Sequence, residues 1–464
     1  MINENNLIEQ FKEVLGDDQI LIGKSLQERY HHIWKMDEPL KGKCLVLPKT
    51  TEEVSQILSL CNAGKTPVIM HGGLTNLVGG TESEGHEVIM SLEKMNTISS
   101  VDTSSRTIKV EAGCILQSVH EAAKAADLLF PLNFGAKGSA QIGGIISTNA
   151  GGLRVLKYGM TRQLVLGLEA VLADGTIISS LKTIIKDNSG YDLKQLFIGS
   201  EGTLGVVTKA VLKLVEVPQS RCSALVAIDD YSQVVDLLKT VDKSLSGLLT
   251  GYELMWNNYY TLATTSPALN KPPLPQNYKY YVLIEVMGQD SQGDFSRLEA
   301  VIQSAFEQEM IQDAVFANTQ SDLDWFWSIR EDVHAGVSQL THDQHFDISL
   351  PIPAIGNVTD EILADLKSHP HYQGVITFGH VADGNIHFIV GKTKQSPEII
   401  HQINEIIYRP LKVNGGSISA EHGIGLHKKA YLHHCRSEAE IKLMETLKKA
   451  LDPNGILNPG RVIG

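Results

Sequence analysis

Cysteine is scarce in this chain of 464 residues: five are present, Cys44, Cys61, Cys114, Cys222 and Cys435, far apart and never as a C-x-x-C pair. An odd count at such spacing excludes a disulfide framework and an iron–sulfur ligand run, and free buried thiols in a reducing compartment are expected. Long apolar runs are absent too. No stretch of 18 apolar residues occurs, so no membrane span is expected. Basic charge is in deficit, with 40 Lys and Arg against 53 Asp and Glu and a net charge of -13, and a nucleic-acid partner is not expected. The stretch from Met1 to Phe11 has neither a basic start with an apolar core nor the Arg-rich look of a transit peptide, which gives the expectation of no leader and a cytoplasmic location.

What is present suffices for a large folded interior: 42% apolar and 20% charged residues, at a length that predicts about three units of 150 residues. Helical spacing is read over 5–16, 51–64, 115–128, 231–244, 292–308 and 437–450. Short β runs are read at Cys44–Pro48, Pro67–Met70, Glu87–Leu92, Thr107–Ala112, Leu166–Leu172, Thr176–Ile178 and Gly205–Leu214. Further runs follow at Ala224–Ile228, Tyr280–Val286, Phe346–Pro351, Gly374–Gly379 and Ile386–Val390. Asp174-Gly175 between two apolar runs signals a hairpin. Thr264–Gln276, with four prolines, reads as a surface loop. The fold class is α+β with several antiparallel hairpins. The expected division is 1–217, 218–408 with a mainly antiparallel sheet, and a C-terminal segment 409–464 with a small helical part.

Three glycine loops stand out. His71-Gly72-Gly73-Leu74-Thr75-Asn76-Leu77 follows a strand and leads to Gly79-Gly80. Gly135 to Gly152 holds six glycines in eighteen residues, with Ser139, Thr148 and Asn149 between them. Gly199-Ser-Glu-Gly-Thr-Leu-Gly205 is the third. Glycine lets backbone N–H groups converge on an anion without a Cβ in the way. The first loop alone reads equally well as a phosphate cradle or a plain turn. It matches neither the P-loop nor the G-x-G-x-x-G pattern. Three such loops together suggest a dinucleotide threaded across one domain.

In the C-terminal third, His380 and His387 flank a turn, Asp383-Gly384-Asn385, that can return one imidazole beside the other. Glu421 and His422 lie adjacent in Gly415-Gly-Ser-Ile-Ser-Ala-Glu-His-Gly-Ile-Gly425. Two imidazoles and a carboxylate suit a Zn²⁺-like divalent metal with an open position. A lone histidine among seventeen would be read as a hydrogen-bonded structural residue; the grouping favours ligands. Arg330 closes a helical face in Trp325-Phe-Trp-Ser-Ile-Arg330. On residues alone it reads as a surface ion pair with Glu331 or Asp332, and the aromatic trio as core.

These motifs together resemble the dehydrogenase branch of the vanillyl-alcohol oxidase superfamily. The resemblance rests on Pro131-Leu…Gly135-Ala-Lys-Gly-Ser139, on Gly143-Gly144…Thr148-Asn149-Ala-Gly151-Gly152-Leu-Arg154, and on Lys186-Asp-Asn-Ser-Gly-Tyr…Gly205. Within the branch the run is most similar to D-2-hydroxyglutarate dehydrogenases, with D-lactate dehydrogenases and glycolate-oxidase flavin subunits as wider kin. The resemblance implies FAD. Its pyrophosphate falls on 72–77 and its ring against 135–152, with His71, Pro131, Glu201, Val207 and Asn458 among its neighbours. Leu74 stands where some members attach flavin through histidine, which implies non-covalent FAD. His380, His387 and Glu421 fall at metal-ligand positions, His422 at the catalytic base, and Arg330 and Asn385 at the substrate. The reaction implied is oxidation of a D-2-hydroxy acid to the 2-oxo acid, with hydride passing to the flavin.

The sequence departs from those relatives at two places, His334 for a threonine and His345 for a lysine. An unperturbed imidazole, pKa about 6.5, is mostly neutral at pH 7.5. A grip on a second carboxylate through it would be weak or pH-dependent, which makes D-lactate the rival substrate. The expected electron acceptor is a quinone or an electron-transfer protein, and a homodimer is expected. The readings outside this class are a flavin-free zinc hydrolase, which leaves the glycine loops unexplained, and a non-catalytic FAD-bearing subunit, which leaves the histidine set unexplained.

Overall fold

The computed structural model describes residues 4–265, 271–333 and 337–464. The chain forms two compact units, one built from 1–152, 158–217 and 421–464, the other from 153–157 and 218–420.

The first unit begins with the amphipathic helix Glu4–Val14. Helix Thr51–Ala63 follows, capped by Thr50, whose side chain accepts the Glu53 N–H, and it buries Val54, Ile57, Leu58 and Cys61 at helical spacing. Strands β1 (Ile20–Leu21), β2 (Cys44–Val46), β3 (Val68–His71) and β4 (Val88–Ser91) make a sheet in the order β1-β2-β4-β3. In it β4 runs parallel to both β2 and β3, while β1 is antiparallel. Hairpin texture was expected here. Apolar periodicity marks a strand but not its direction, and the helix between β2 and β3 makes the parallel crossover.

A second sheet, order β5-β9-β7-β8, joins β5 (Thr107–Glu111), β7 (Val165–Val171), β8 (Ile177–Ser180) and β9 (Val206–Lys213), all antiparallel. β7 and β8 meet at Asp174-Gly175, where Gly175 has φ +88°, as the hairpin signal predicts. A short ribbon pairs β6 (Leu128–Leu129) with β10 (Val215–Glu216).

The second unit is a seven-stranded antiparallel sheet. Its strands are β11 (Ser220–Ile228), β12 (Leu249–Trp256), β13 (Tyr280–Gly288), β14 (Asp313–Phe316), β15 (Gln344–Ser349), β16 (Tyr372–Gly379) and β17 (Asn385–Lys392), in the order β14-β11-β13-β12-β16-β17-β15. One face is covered by helices Asn257–Thr265 and Gln320–Glu331, whose Tyr259, Tyr260, Phe326 and Trp327 pack with Met255, Leu283, Ile376 and Phe378. On the other face the Tyr252 hydroxyl donates to the Val234 carbonyl of helix Tyr231–Leu245. Side chains alternate along a strand, so Glu253 shares the face of Met255, opposite to Tyr252 and Leu254. The aromatic trio is core: Phe326 and Trp327 are buried and Trp325 packs against the same cluster. Of the stretch expected to be a surface loop, Thr264 and Thr265 close a helix, and 266–270 lie outside the described residues.

All five cysteines are free. Cys44, Cys61, Cys114 and Cys222 are buried, and Cys435 is half-buried. No helix of the described residues is long and apolar enough to cross a membrane.

Candidate active site

In the first unit β3 ends at His71 and opens directly into the first glycine loop. The His71 ring is buried with Nε2 3.0 Å from the Thr81 carbonyl, and burial pushes its pKa down to about 3. It is therefore a neutral, buried structural ring. Leu74 holds φ +56°, an uncommon conformation for a leucine. The Asn76 side chain fastens the loop on itself: its Oδ1 accepts the Gly80 N–H at 2.9 Å and its Nδ2 donates to Thr81 Oγ1 at 2.7 Å.

The second loop lies against the first. A Cβ added at Gly73 would meet the Ser139 carbonyl oxygen at 2.1 Å, so no side chain fits between them. The Gly72 Cβ position is 3.6 Å from the Gly144 Cα, whereas a Cβ on Gly144 itself would face open space. Close by, Gln141 Oε1 is buried without a partner among the described residues. Backbone lining, open space and one orphaned acceptor form a cradle that fits a polyoxygenated dinucleotide. Gly143 and Gly144 lie in the short helix Ile142–Thr148, which ends at Asn149 with φ +49°. The Asn149 Oδ1 accepts the Arg162 N–H at 3.0 Å, and Thr148 Oγ1 donates to the Gly144 carbonyl at 3.1 Å, so both side chains serve the loop's shape. Val207 is buried in β9 and Pro131 is buried beside β6; Gly135 and Ser139 are exposed.

Glu201 and Asn458 tie the third loop to the others. The Glu201 carboxylate accepts N–H groups of Ile424 and Gly425 at 2.7 and 2.8 Å. Burial pushes its carboxyl pKa up against those donors. Asn458 accepts the Met70 N–H at 2.8 Å and donates to the Glu201 carbonyl at 2.7 Å. The side chains of both, expected at the cofactor, act on the protein's own backbone. The half-buried Glu421 and His422 stand in the same loop, which Glu201 fastens at the backbone donors of Ile424 and Gly425.

In the second unit, His380 and His387 meet across the predicted turn. Their rings are 5.5 Å apart at 84°, and their ligand atoms lie within 4.8 Å of one another. β16 delivers His380 just past Gly379, β17 carries His387, and Gly384 with φ +87° makes the return. Glu421 follows Ala420, whose N–H donates to Asp347 Oδ2 at 3.0 Å, and Asp347 is the register partner of His387. Chain connectivity alone thus brings Glu421 to the neighbourhood of that strand.

Arg330 is no surface residue. It is 4% exposed, and its Nε donates to Glu253 Oε2 at 2.8 Å, with its guanidinium 4.7 Å over the Phe378 ring. Expected partners Glu331 and Asp332 follow it on the chain; the partner found is 77 residues away. The second Glu253 oxygen lies 2.7 Å from His380 Nδ1. Burial drives the Glu253 carboxyl up, but the charges of His380 and Arg330 and the hydrogen bonds from both outweigh it, and the net pKa falls below the ordinary value. Glu253 is the residue that sequence reading missed. Asn385 is 3% exposed with both amide atoms buried and without a partner among the described residues, as a ligand-facing amide would be. His345, on the edge strand β15, places Nε2 2.6 Å from Asp343 Oδ2. His334 lies outside the described residues.

Residues 217–462 match the family described as FAD linked oxidases, C-terminal domain, and residues 42–180 match the FAD binding domain. A rice (Oryza sativa subsp. indica) protein named as a probable mitochondrial D-2-hydroxyglutarate dehydrogenase is 39% identical over 98% of this chain and 81% of its own. A mitochondrial D-2-hydroxyglutarate dehydrogenase of Arabidopsis thaliana is 37% identical over the same shares, 98% and 81%. The chain belongs to the FAD-linked D-2-hydroxy-acid dehydrogenases. A D-2-hydroxyglutarate–pyruvate transhydrogenase of Saccharomyces cerevisiae is 34% identical over 98% of this chain and 93% of that one. In fold, p-cresol methylhydroxylase with substrate bound superposes with a TM-score of 0.76 over 99% of this chain and 96% of its own at 17% identity.

This family membership confirms the α+β flavoprotein fold, FAD as cofactor and dehydrogenase activity. The cytoplasmic location is overturned, because the rice and Arabidopsis relatives are named mitochondrial. That expectation rested on a missing leader pattern, and nothing in a folded flavin domain encodes its compartment.

Proposed function

We propose that this enzyme oxidises a D-2-hydroxy acid of the D-2-hydroxyglutarate type, using non-covalent FAD and a divalent metal, Zn²⁺, held by His380, His387 and Glu421. The observation that carries this reading is the polar stripe on one sheet face: Arg330, Glu253, His380, His387 and the orphaned Asn385 amide, set in an otherwise apolar core. An unpaired buried amide is costly unless a ligand completes it. A 2-hydroxy carboxylate does so. Arg330, whose Nε is taken by Glu253, offers its terminal nitrogens to a carboxylate as a bidentate fork. Asn385 supplies a donor and an acceptor to the substrate oxygens.

FAD, when bound, accepts the hydride from C2. The metal, when bound, polarises the hydroxyl and lowers its pKa. His422 takes the hydroxyl proton, for which imidazole is suited near neutral pH. Leu74, lacking a nucleophilic side chain, supports non-covalent attachment, and acid precipitation should release all of the yellow chromophore. The decisive experiment is anaerobic titration with D- and L-2-hydroxy acids. Flavin bleaching by D acids and not by L acids is expected; bleaching by neither overturns the reading. Reoxidation by a quinone or an electron-transfer protein is expected, and reoxidation by pyruvate is the competing outcome.

D-lactate is the second reading, and one observation favours it. The Asp343 carboxylate beside His345 opposes a second substrate carboxylate. If His345 meets that carboxylate, His345→Ala should change kcat/KM for D-2-hydroxyglutarate relative to that for D-lactate. A dicarboxylate preference unchanged by His345→Ala removes His345 from the site.

A further inference from the structure

Beyond the ligand set lies a fully buried carboxylate with two functional neighbours. Glu253 sits in the middle of β12, is 1% exposed, and faces the side of the sheet that helix Gln320–Glu331 covers. Each of its oxygens has a separate partner, Oε2 the Arg330 Nε and Oε1 the His380 Nδ1. The rest of the helix end is also fixed: the Tyr259 hydroxyl donates to the Arg330 carbonyl at 2.7 Å, and Phe378 lies under the guanidinium. Phe378 in turn stands 5.0 Å from the His387 ring.

We propose that Glu253 is a positioning residue that fixes, through one carboxylate, both the orientation of the substrate-gripping Arg330 and the tautomer of the metal ligand His380. The proposal rests on the reading of Arg330 and His380 given above and deepens it. Glu253 touches neither substrate nor metal in this account. By accepting the Nδ1 proton it sets His380 with its lone pair on Nε2, the nitrogen a metal would take, and it raises the basicity of that nitrogen. By accepting from Arg330 Nε it turns the two terminal nitrogens outward as a pair. The same oxygen pair therefore sets metal affinity and carboxylate affinity together.

The test is Glu253→Gln, which keeps the shape but has one acceptor and one donor. Whichever way the amide turns, either His380 Nδ1 meets an N–H, which moves its proton to Nε2, or Arg330 Nε loses its acceptor. Three quantities are read: zinc affinity by competition with a chromophoric chelator, KM against kcat for the D-2-hydroxy acid, and the melting temperature. The expected result is zinc binding weaker by about 10–100-fold, the range for loss of a partner behind a metal-bound histidine. Substrate KM should rise, and Glu253→Asp, which keeps two acceptors, should recover part of both. Unchanged zinc affinity and KM in Glu253→Gln overturn the positioning role. So does equal loss in Glu253→Gln and Glu253→Asp that follows the melting temperature alone, which is a packing effect. Failure of the unaltered protein to bind zinc at all is distinct, because it overturns the metal reading itself.

Discussion

The glycine loops of the first unit present bare backbone, while the sheet of the second presents charged side chains. At Gly73 and Ser139 the chain comes too close to itself for a Cβ, and beside them a Cβ on Gly144 would face open space. On the sheet face, Glu253, His380 and Asn385, with Arg330 from the covering helix, stand in packed apolar surroundings, each held by a partner or left unpaired. On the proposed function, the first arrangement would meet diffuse phosphate charge through backbone donors, and the second would align reacting atoms with a few fixed charges. Cofactor and chemistry would then be held by different materials, and their failures should separate on mutation.

The largest effect tests that separation directly. His387→Ala should lower turnover by about 4 kcal/mol of transition-state stabilisation, roughly a thousandfold, with a full complement of FAD. Turnover within tenfold of the unaltered enzyme breaks the assignment, and loss of flavin breaks the separation. The reverse comes next. Gly73→Ala forces the two loops apart at an overpacking cost of about 1–3 kcal/mol and should release FAD, read as the flavin-to-protein ratio after gel filtration. Flavin retained at parity would show that the close approach is not what shapes the cradle.

Asn385→Leu is expected to act with opposite signs on function and stability. Removing a buried amide without partners should lower kcat/KM about tenfold while leaving the melting temperature equal or raised by a few degrees. A fall in both would mean that Asn385 holds the turn and not the substrate. The smallest effect concerns His71. Its folded pKa of about 3 lies below the ordinary imidazole value, so the unfolded chain takes up a proton that the folded chain refuses as pH falls below about 6.5. Stability is therefore fully present above that pH and is lost on acidification toward pH 3. Between pH 7.5 and 5.5 the unaltered protein should lose about 1 kcal/mol more than His71→Gln, measured by denaturant unfolding.

The same contrast explains what could be read in advance. Glycine announces itself, because a run such as Gly143-Gly144 or Gly72-Gly73 has few reasons to exist without a tight approach or an anion. The His380–His387 turn was legible for the same cause, through Gly384. Strand β12 was not. Leu249–Trp256 is buried on both faces, so no polar alternation marks it, and no reading of its sequence separates its one acidic residue from the rest. The pairing of Glu253 with Arg330 and His380 spans 77 and 127 residues, which no local pattern encodes. The burial of Arg330 escaped for that reason: its neighbours on the chain offered nearer, wrong partners. Direction in the β2-β4-β3 sheet escaped too, since a strand's periodicity is the same whichever way its neighbour runs.

The thiol arrangement has a practical consequence. Burial pushes the thiols of Cys44 and Cys114 up to about 12 and about 11, and those of Cys61 and Cys222 also rise. A maleimide is attacked by the thiolate, so these four are shielded twice, by access and by protonation. Half-buried Cys435 is the most accessible of the five, in the segment that follows Glu421 and His422. A single dye there is expected to label the native enzyme at one address without mutagenesis, and its emission would report on the surroundings of that segment.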